Sequence, residues 1–281
     1  MTPYKLSPED WKDAAMMLRD RHRSIMVYGL LKKLMEGKWE GFEMWVDSWP
    51  EFKSIVMKPS GEKQMDPYTG KYYIVDSQDV ASMTSLLDDP RIITWNDDIK
   101  LGVSDTVWPL VEQRAKDRGN IRWLADTPIY TVSRDTLVDI KLPDGFQEVP
   151  FGSDALSHVN ENWTFREPGF DQFTHLLVER GYPTVCFRDP TGALAAYAAT
   201  HFHNLLGLLI VLPPFRGKKL GTAAMSLLAR KTLEEDDVVG VVLGDNNAVS
   251  IHLHTKLGFK PVPGSKIKWS LYTCSKRSGT P

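Results

Sequence analysis

Cysteine is scarce, with only Cys186 and Cys274 among 281 residues. Two thiols so far apart exclude a disulfide framework and a paired metal clip, so both are expected free in a reducing compartment. The scattered histidines give no metal-ligand spacing either, and no metal is expected. No apolar run approaches the roughly 20 residues that cross a bilayer, and the start has no basic-then-apolar secretory pattern. A soluble intracellular chain without a membrane partner is therefore expected. Charge of one sign is also missing: 34 Lys and Arg against 36 Asp and Glu leave a net charge of -2, with no basic stripe interleaved with aromatics. That balance argues against nucleic acid as a partner. Low-complexity tracts and short-period repeats are absent.

What is present suffices for two domains with sizeable cores, at 42% hydrophobic and 25% charged residues. Ser7-Pro8-Glu9-Asp10 predicts a helix start, with Ser7 as N-cap and the helix running to about Leu18. Ile25 to Leu31 reads as a strand, Trp39 to Trp49 as an aromatic helix stopped by Pro50, and Lys53–Lys58 and Tyr72–Val75 as strands. Helices are expected near 78–87 and 104–117. The polar segment 133–145 ends in Pro143-Asp144-Gly145, a turn signal that marks a boundary between domains 1–140 and 141–281.

Beyond it the pattern is regular. A strand over 146–150, helices over 153–164 and 170–180, and a hairpin of 184–188 and 193–203 turned by Asp189-Pro190-Thr191-Gly192 lead to a strand over 206–212. Two αβ halves of nearly equal length admit a degenerate duplication.

Residues 208–221 carry most of the functional information. An apolar strand runs directly into Pro213-Pro214-Phe215-Arg216-Gly217-Lys218-Lys219-Leu220-Gly221, a basic glycine-bearing turn that opens a helix with Leu220, Ala223, Ala224, Leu227 and Leu228 on one face. The first amides of a helix have no intrahelical acceptor, so this turn can seat a pyrophosphate, aided by its Arg and Lys side chains. Downstream, the apolar run Val238–Leu243 precedes a helix from Asn247 to the glycine stop at Gly258. Val249, Leu253 and Leu257 predict an apolar seam there, and Asn247, Ser250 and His254 a separate polar face. His252 points elsewhere, toward solvent.

This pair of elements resembles the GNAT superfamily of acyl-CoA N-acyltransferases, whose signature is Arg/Gln-x-x-Gly-x-Gly/Ala and then Asn-x-x-Ala-x-x-x-Tyr-x-x-x-Gly-Phe. Arg216 and Gly221 fit the first pattern, with Lys219 where its middle glycine stands. Asn247, Gly258 and Phe259 fit the second, with Ser250 for Ala and His254 for Tyr. The resemblance narrows to the glycine N-acyltransferase family through Val27-Tyr28-Gly29, Val46-Asp47-Ser48-Trp49-Pro50-Glu51-Phe52, Ile93-Thr94-Trp95-Asn96, Gly145-Phe146, Val159-Asn160-Glu161-Asn162-Trp163 and Tyr182-Pro183-Thr184-Val185-Cys186.

The resemblance implies an α/β fold: a GNAT-type mixed sheet flanked by helices, preceded by an N-terminal α/β domain that resembles a degenerate GNAT-like half. It implies acyl-CoA or acetyl-CoA as co-substrate and a small amine, glycine or a related amino acid, as acceptor. It places the CoA phosphates on Arg216, Gly217, Lys218, Lys219, Leu220 and Gly221, and pantetheine along Leu209, Ile210 and Val211. Asn247 and Ser250 line the cleft, and His254 stands where a tyrosine gives a proton to the departing thiolate, a role open to an imidazolium. The family's general-base glutamate falls on Leu205, which leaves His203 and His201 as replacements.

Three readings stay open: transfer to an amino acid, transfer to a protein lysine or polyamine, and a CoA-binding module without turnover. The family also implies mitochondria. Glu9, Asp10, Asp13 and Asp20 are unusual for a transit peptide and leave the cytosol open, and Ser278-Gly279-Thr280-Pro281 is no peroxisomal address. Trp39, Trp45 and Trp49 are expected to pack, and Glu234-Glu235-Asp236-Asp237 to be a solvated helix end.

Overall fold

Strands and helices alternate along the chain. In a computed structural model that describes residues 2–61 and 65–275, the first half comprises β1 (Tyr4–Lys5), α1 (Trp11–Arg19), α2 (Ile25–Met35), β2 (Phe42–Val46), β3 (Ser54–Pro59), β4 (Tyr72–Ser77), α3 (Val80–Leu87), β5 (Ile99–Ser104), α4 (Trp108–Lys116) and β6 (Gly119–Ser133). The second comprises β7 (Gln147–Val149), α5 (Ser153–Asn162), α6 (Phe170–Glu179), β8 (Thr184–Arg188), β9 (Leu194–Thr200), β10 (Leu206–Val211), α7 (Leu220–Thr232), β11 (Val238–Val242), α8 (Ala248–Lys256) and β12 (Lys260–Cys274). The C-terminal residues 278–281 lie outside the described residues. Among those described, no helix is long and apolar enough to cross a membrane.

The chain forms two compact units. One holds Met1–Val27, Glu40–Pro128 and Pro263–Pro281, the other Tyr28–Trp39 and Ile129–Val262. Residues 28–39 thus group with the C-terminal half, and 263–275 with the N-terminal half.

In the first unit the strands follow the order β1-β2-β3-β4-β5-β12. All neighbours are antiparallel except β4 and β5, which run parallel through four register pairs from Tyr72↔Lys100 to Val75↔Val103. Val56, Tyr73 and Val75 of the sheet bury against Met83, Leu86 and Leu87 of α3 and Val111 and Ala115 of α4. The start of α3 is closed by its own sequence, because the Asp79 carboxylate accepts the Ser82 N–H at 3.1 Å.

In the second unit the end of β6 is followed by β11-β10-β9-β8-β7. β10 and β11 are parallel, and the other pairs are antiparallel. Ala223, Ala224, Leu228 and Ala229 of α7 pack on Ala196 and Ala198 of β9, with Val239 and Val241 in the same core. Small alanines on both surfaces let helix and sheet approach closely. The expected mixed α/β architecture, a mixed sheet flanked by helices, is what both units show.

Several local expectations are corrected. Ile25–Leu31 is not a strand but the start of α2, whose residues Ile25, Met26, Val27, Leu30, Leu31 and Leu34 are all buried. A segment apolar nearly all round carries no period by which to tell helix from strand. Trp39–Trp49 is not a helix: β2 occupies its centre and pairs with β3 in register from Phe42↔Pro59 to Val46↔Ile55. The tryptophans do pack, with Trp39 among Phe173, Tyr182 and Phe202 and Trp45 in the first core. Helix α1 begins at Trp11 rather than Ser7. The four residues before it form a turn in which the Asp10 carboxylate accepts the Ser7 N–H at 2.7 Å and hydroxyl at 2.8 Å.

Val249 is 80% exposed and lies outside the predicted seam, which only Leu253 and Leu257 occupy. The acidic run 234–237 is not simply solvated, because Asp236 is buried, paired with Lys32 and bonded to Asn204 Nδ2 at 2.9 Å. Glu235 meets Lys33 at 3.2 Å and Lys38 at 2.9 Å. Burying the Lys33 ammonium requires such partners.

Gly258 ends α8 at φ +93°, and a Cβ there would stand 2.1 Å from the Thr136 carbonyl oxygen. The left-handed backbone and the clash act together, so Gly258→Ala should cost about 2–4 kcal/mol. Urea unfolding checks this: a midpoint unchanged from the parent would contradict it.

Candidate functional site

The site begins with two strands that part. Parallel neighbours β10 and β11 share a single register pair, Leu206↔Val241. On its other edge β10 stays with β9 to Val211↔Ala196, but through a register shift between Gly207 and Ile210. Leu208 sits in the irregularity at φ +49°. A bulge of this kind turns the strand aside, and it leaves the main chain of Leu209, Ile210 and Val211 outside the β11 ladder. The sequence signal for it is Gly207, which the apolar pattern conceals.

The chain then makes a 3-10 turn at Pro213–Phe215 and enters α7 through Gly217 at φ +78° and Lys219 at φ +62°. Among the described residues, the N–H groups of 217–222 meet no backbone carbonyl, and the first that does is Ala223, bonded to the Lys219 oxygen at 3.1 Å. Six unpaired donors at the positive end of a 13-residue helix form a seat for an anion.

Three cations surround it, none ion-paired among the described residues. Arg216 turns its Nε onto the Val211 oxygen at 3.3 Å. Lys218 lies 5.3 Å from the Phe215 ring centre and 5.8 Å from that of Phe146, an aromatic seat not anticipated, although the Gly145-Phe146 landmark lay in view. Lys219 is exposed.

Gly221 joins the parts. A Cβ there would lie 3.3 Å from Val211 Cγ2 and 3.4 Å from Leu253 Cδ1, so β10, the head of α7 and the middle of α8 meet at this glycine. On α8 the Asn247 side chain accepts the Ser250 N–H at 3.1 Å, which caps the helix.

One turn on, His254 is 2% exposed and stacks edge-on against Phe259. Its Nδ1 lies 2.8 Å from the Ser250 carbonyl oxygen. A carbonyl only accepts, so Nδ1 carries the proton. Nε2 is then the lone-pair nitrogen, and it is buried with no partner among the described residues. Burial lowers the His254 pKa, opposed in part by the bond to Ser250. Burial therefore favours the neutral imidazole over the imidazolium that the resemblance allows. Asn247, Ser250 and His254 do share one face, as their spacing predicts, and His252 is exposed.

His201 and His203 stand at the other end of β10 from the anion turn. They precede the first residue of β10, whereas the anion turn follows its last. A six-residue strand separates the two by on the order of 15–20 Å. The turn is tight, with His201 N–H to Leu205 oxygen and Asn204 N–H to His201 oxygen, both 2.8 Å. The two imidazoles stack at 5.2 Å, and His201 also stacks on Phe173 at 6.0 Å. Burial pushes His201 down to about 4, and burial with the neighbouring imidazole pushes His203 well down. Leu205 is buried. No sequence signal revealed a further polar pair, His158 Nδ1 with the Tyr197 hydroxyl at 2.9 Å. Among the described residues, no group of three or more His, Cys, Asp or Glu is placed to hold a metal.

Residues 16–122 match the aralkyl acyl-CoA:amino acid N-acyltransferase family and residues 150–259 the acetyltransferase (GNAT) family. Glycine N-acyltransferase of Bos taurus is 22% identical over 273 residues, 88% of this chain and 91% of that protein. Glycine N-phenylacetyltransferase of Bos taurus is 23% identical, over 70% of this chain and 74% of that one. Among solved structures, a Drosophila protein superposes with a TM-score of 0.79 at 15% identity, over 96% of this chain and 98% of that one. A tandem GNAT protein from the clavulanic acid biosynthesis pathway superposes at 0.54 and 16% identity, over 99% of each.

The splayed strand and basic turn, carried on two GNAT-like halves, define an N-acyltransferase of the GNAT type. Within that class, the chain belongs to the glycine N-acyltransferase family.

Two measurements probe the site as built. Lys219 adopts a backbone conformation that disfavours a Cβ, so Lys219→Gly should raise unfolding stability by up to about 1 kcal/mol; a loss of stability would contradict the strain. Because burial depresses the three imidazoles, the unfolded chain binds more protons between about pH 4 and 6.5. Stability from these groups is complete above that window and falls on acidification, by at most about 1.4 kcal/mol per pH unit and histidine. Urea midpoints at about pH 7.5, 6.5 and 5.5 should show the fall, and His201→Phe should flatten it.

Proposed function

We propose that this protein transfers an acyl group from acyl-CoA to the amino group of glycine or another small amino acid. The observation that carries the reading is the row of unpaired amides at residues 217–222, at the end of a strand that has left its parallel neighbour. In this reading the CoA diphosphate lies on those amides with Arg216, Lys218 and Lys219 around it, and the helix dipole adds to the attraction. Pantetheine extends along Leu209, Ile210 and Val211 as an added strand edge, its amides bonding to main chain outside the β11 ladder. Asn247 and Ser250 line the cleft, and His254 handles the proton nearest the sulfur.

His201 and His203 act in this reading as packing groups rather than as the base: the two stacked imidazoles hold the tight turn ahead of β10. The binding stoichiometry is one CoA per chain. The first unit's counterpart turn already holds an anion, the Asp79 carboxylate at the head of α3, and β4 and β5 do not part there.

A second reading has its own support, a CoA-binding module with little turnover. Leu205, at the position of the family's glutamate base, is buried and apolar.

Free-thiol release from benzoyl-CoA and acetyl-CoA, screened across amino acids, polyamines and lysine peptides, decides among these. Acceptor-dependent release with glycine or a related amino acid is expected. CoA binding by calorimetry without release from any pair would favour the module. Arg216→Ala should weaken CoA binding by about 1–3 kcal/mol, since a charge-assisted phosphate contact is lost, and an unchanged dissociation constant would remove Arg216 from the site.

A further inference from the structure

Two departures from the superfamily pattern stand on one chain. A leucine replaces the base, and a histidine replaces the tyrosine that acts as acid. Separately each looks like a loss. Together with the geometry of α8 they describe a different division of labour.

A tyrosine at this position can give a proton but, protonated at neutral pH because its phenol ionises near 10, cannot serve as a base. His254 presents the opposite face. Its Nδ1–H is spent on the Ser250 carbonyl at 2.8 Å, and its Nε2 lone pair is buried and unpartnered. An orphaned buried acceptor costs stability unless a donor is brought to it. Leu253, the residue before His254, packs at Gly221 against the head of α7 and the end of β10, so the turn of α8 that carries His254 borders the strand along which the thioester carrier is proposed to extend. The donor Nε2 lacks is then an N–H or S–H group of the reactants.

The geometry points to His254 as base and acid in turn, a proton shuttle that replaces both missing residues. The inference rests on the acyl-transfer reading above. The acceptor enters as its neutral amine, its ammonium proton having gone to solvent. Its nitrogen attacks the thioester carbon, a C–N bond forms, and the carbonyl π pair moves to oxygen. In the zwitterionic adduct the nitrogen is positively charged and its N–H strongly acidic, so the Nε2 lone pair takes that proton. The carbonyl then re-forms as the C–S bond breaks, and the electron pair leaves on sulfur. Nε2–H returns the proton to the thiolate, leaving amide, free CoA thiol and neutral imidazole. The Ser250 carbonyl supports the transient imidazolium through Nδ1–H and fixes the ring's orientation, as a carboxylate does in a catalytic triad.

The test uses the full chain with His254→Ala and His254→Tyr, assayed for acyl transfer and, by calorimetry, for CoA binding. Both variants should lose about 100-fold or more in kcat, with the CoA dissociation constant within about threefold of the parent. Added imidazole should restore turnover to His254→Ala at least about tenfold, which a merely structural role would not allow. Tyrosine retaining near-parental turnover would overturn the shuttle, because an acid alone would then suffice. So would His254→Ala that keeps its rate, or one that loses CoA binding and is not rescued by imidazole. If the unaltered protein binds CoA yet transfers no acyl group to any acceptor, the acyl-transfer reading falls and the shuttle with it, a result distinct from a variant that behaves like its parent.

Discussion

The hydrogen-bond partner that β10 gives up governs this site. Beyond Leu206 the strand no longer shares a ladder with β11, and the bulge around Leu208 redirects it. Main-chain donors and acceptors need partners when buried, so the break is tolerated only where solvent or a ligand supplies them. The turn after it repeats the theme at residues 217–222, whose amides point out of the head of α7. Backbone, rather than side chain, provides most of the recognition surface. Side-chain identities within 209–211 can therefore serve the core while their peptide groups face the cleft.

Much of the second unit is legible in the sequence. Its strands and helices are separated by strong turn signals such as Asp189-Pro190-Thr191-Gly192, where the Asp189 carboxylate accepts three donors. The apolar face of α7 follows helical spacing closely. The first unit was harder. Trp39, Phe42, Trp45 and Trp49 recur at three- and four-residue steps and so mimic a helix, yet residues 42–46 form a strand of which all but Glu43 is buried. In α2 the reverse happened, since apolar residues on nearly every side erased the period. Strand β12, rich in lysine and serine over 15 residues, gives no apolar run, and its order is fixed by long-range pairing with β5.

The site shows the same split between local and non-local information. Arg216, Gly217, Lys218 and Lys219 announce an anion seat by type and spacing. The polar face of α8 follows from a simple count of residues per turn. Which imidazole nitrogen carries its proton does not, because it depends on a carbonyl one turn back and on burial by Phe259 and the surrounding helix. The stacking of His201 and His203 on each other and on Phe173 is equally hidden, since sequence gives their parity on a strand but not what packs over them.

The two units treat the same architectural moment differently. At the head of α3 a carboxylate belonging to the chain itself, Asp79, neutralises the positive helix end and occupies its first amide. Among the described residues, none does so at the head of α7. One helix start is consequently charge-complete at every solute concentration, whereas the other is a half-cell waiting for its counter-charge. Under the proposed function, its occupancy rises and falls with the supply of thioester in the surrounding fluid. The protein thus carries a self-contained half and a half whose free energy reports on its metabolic surroundings.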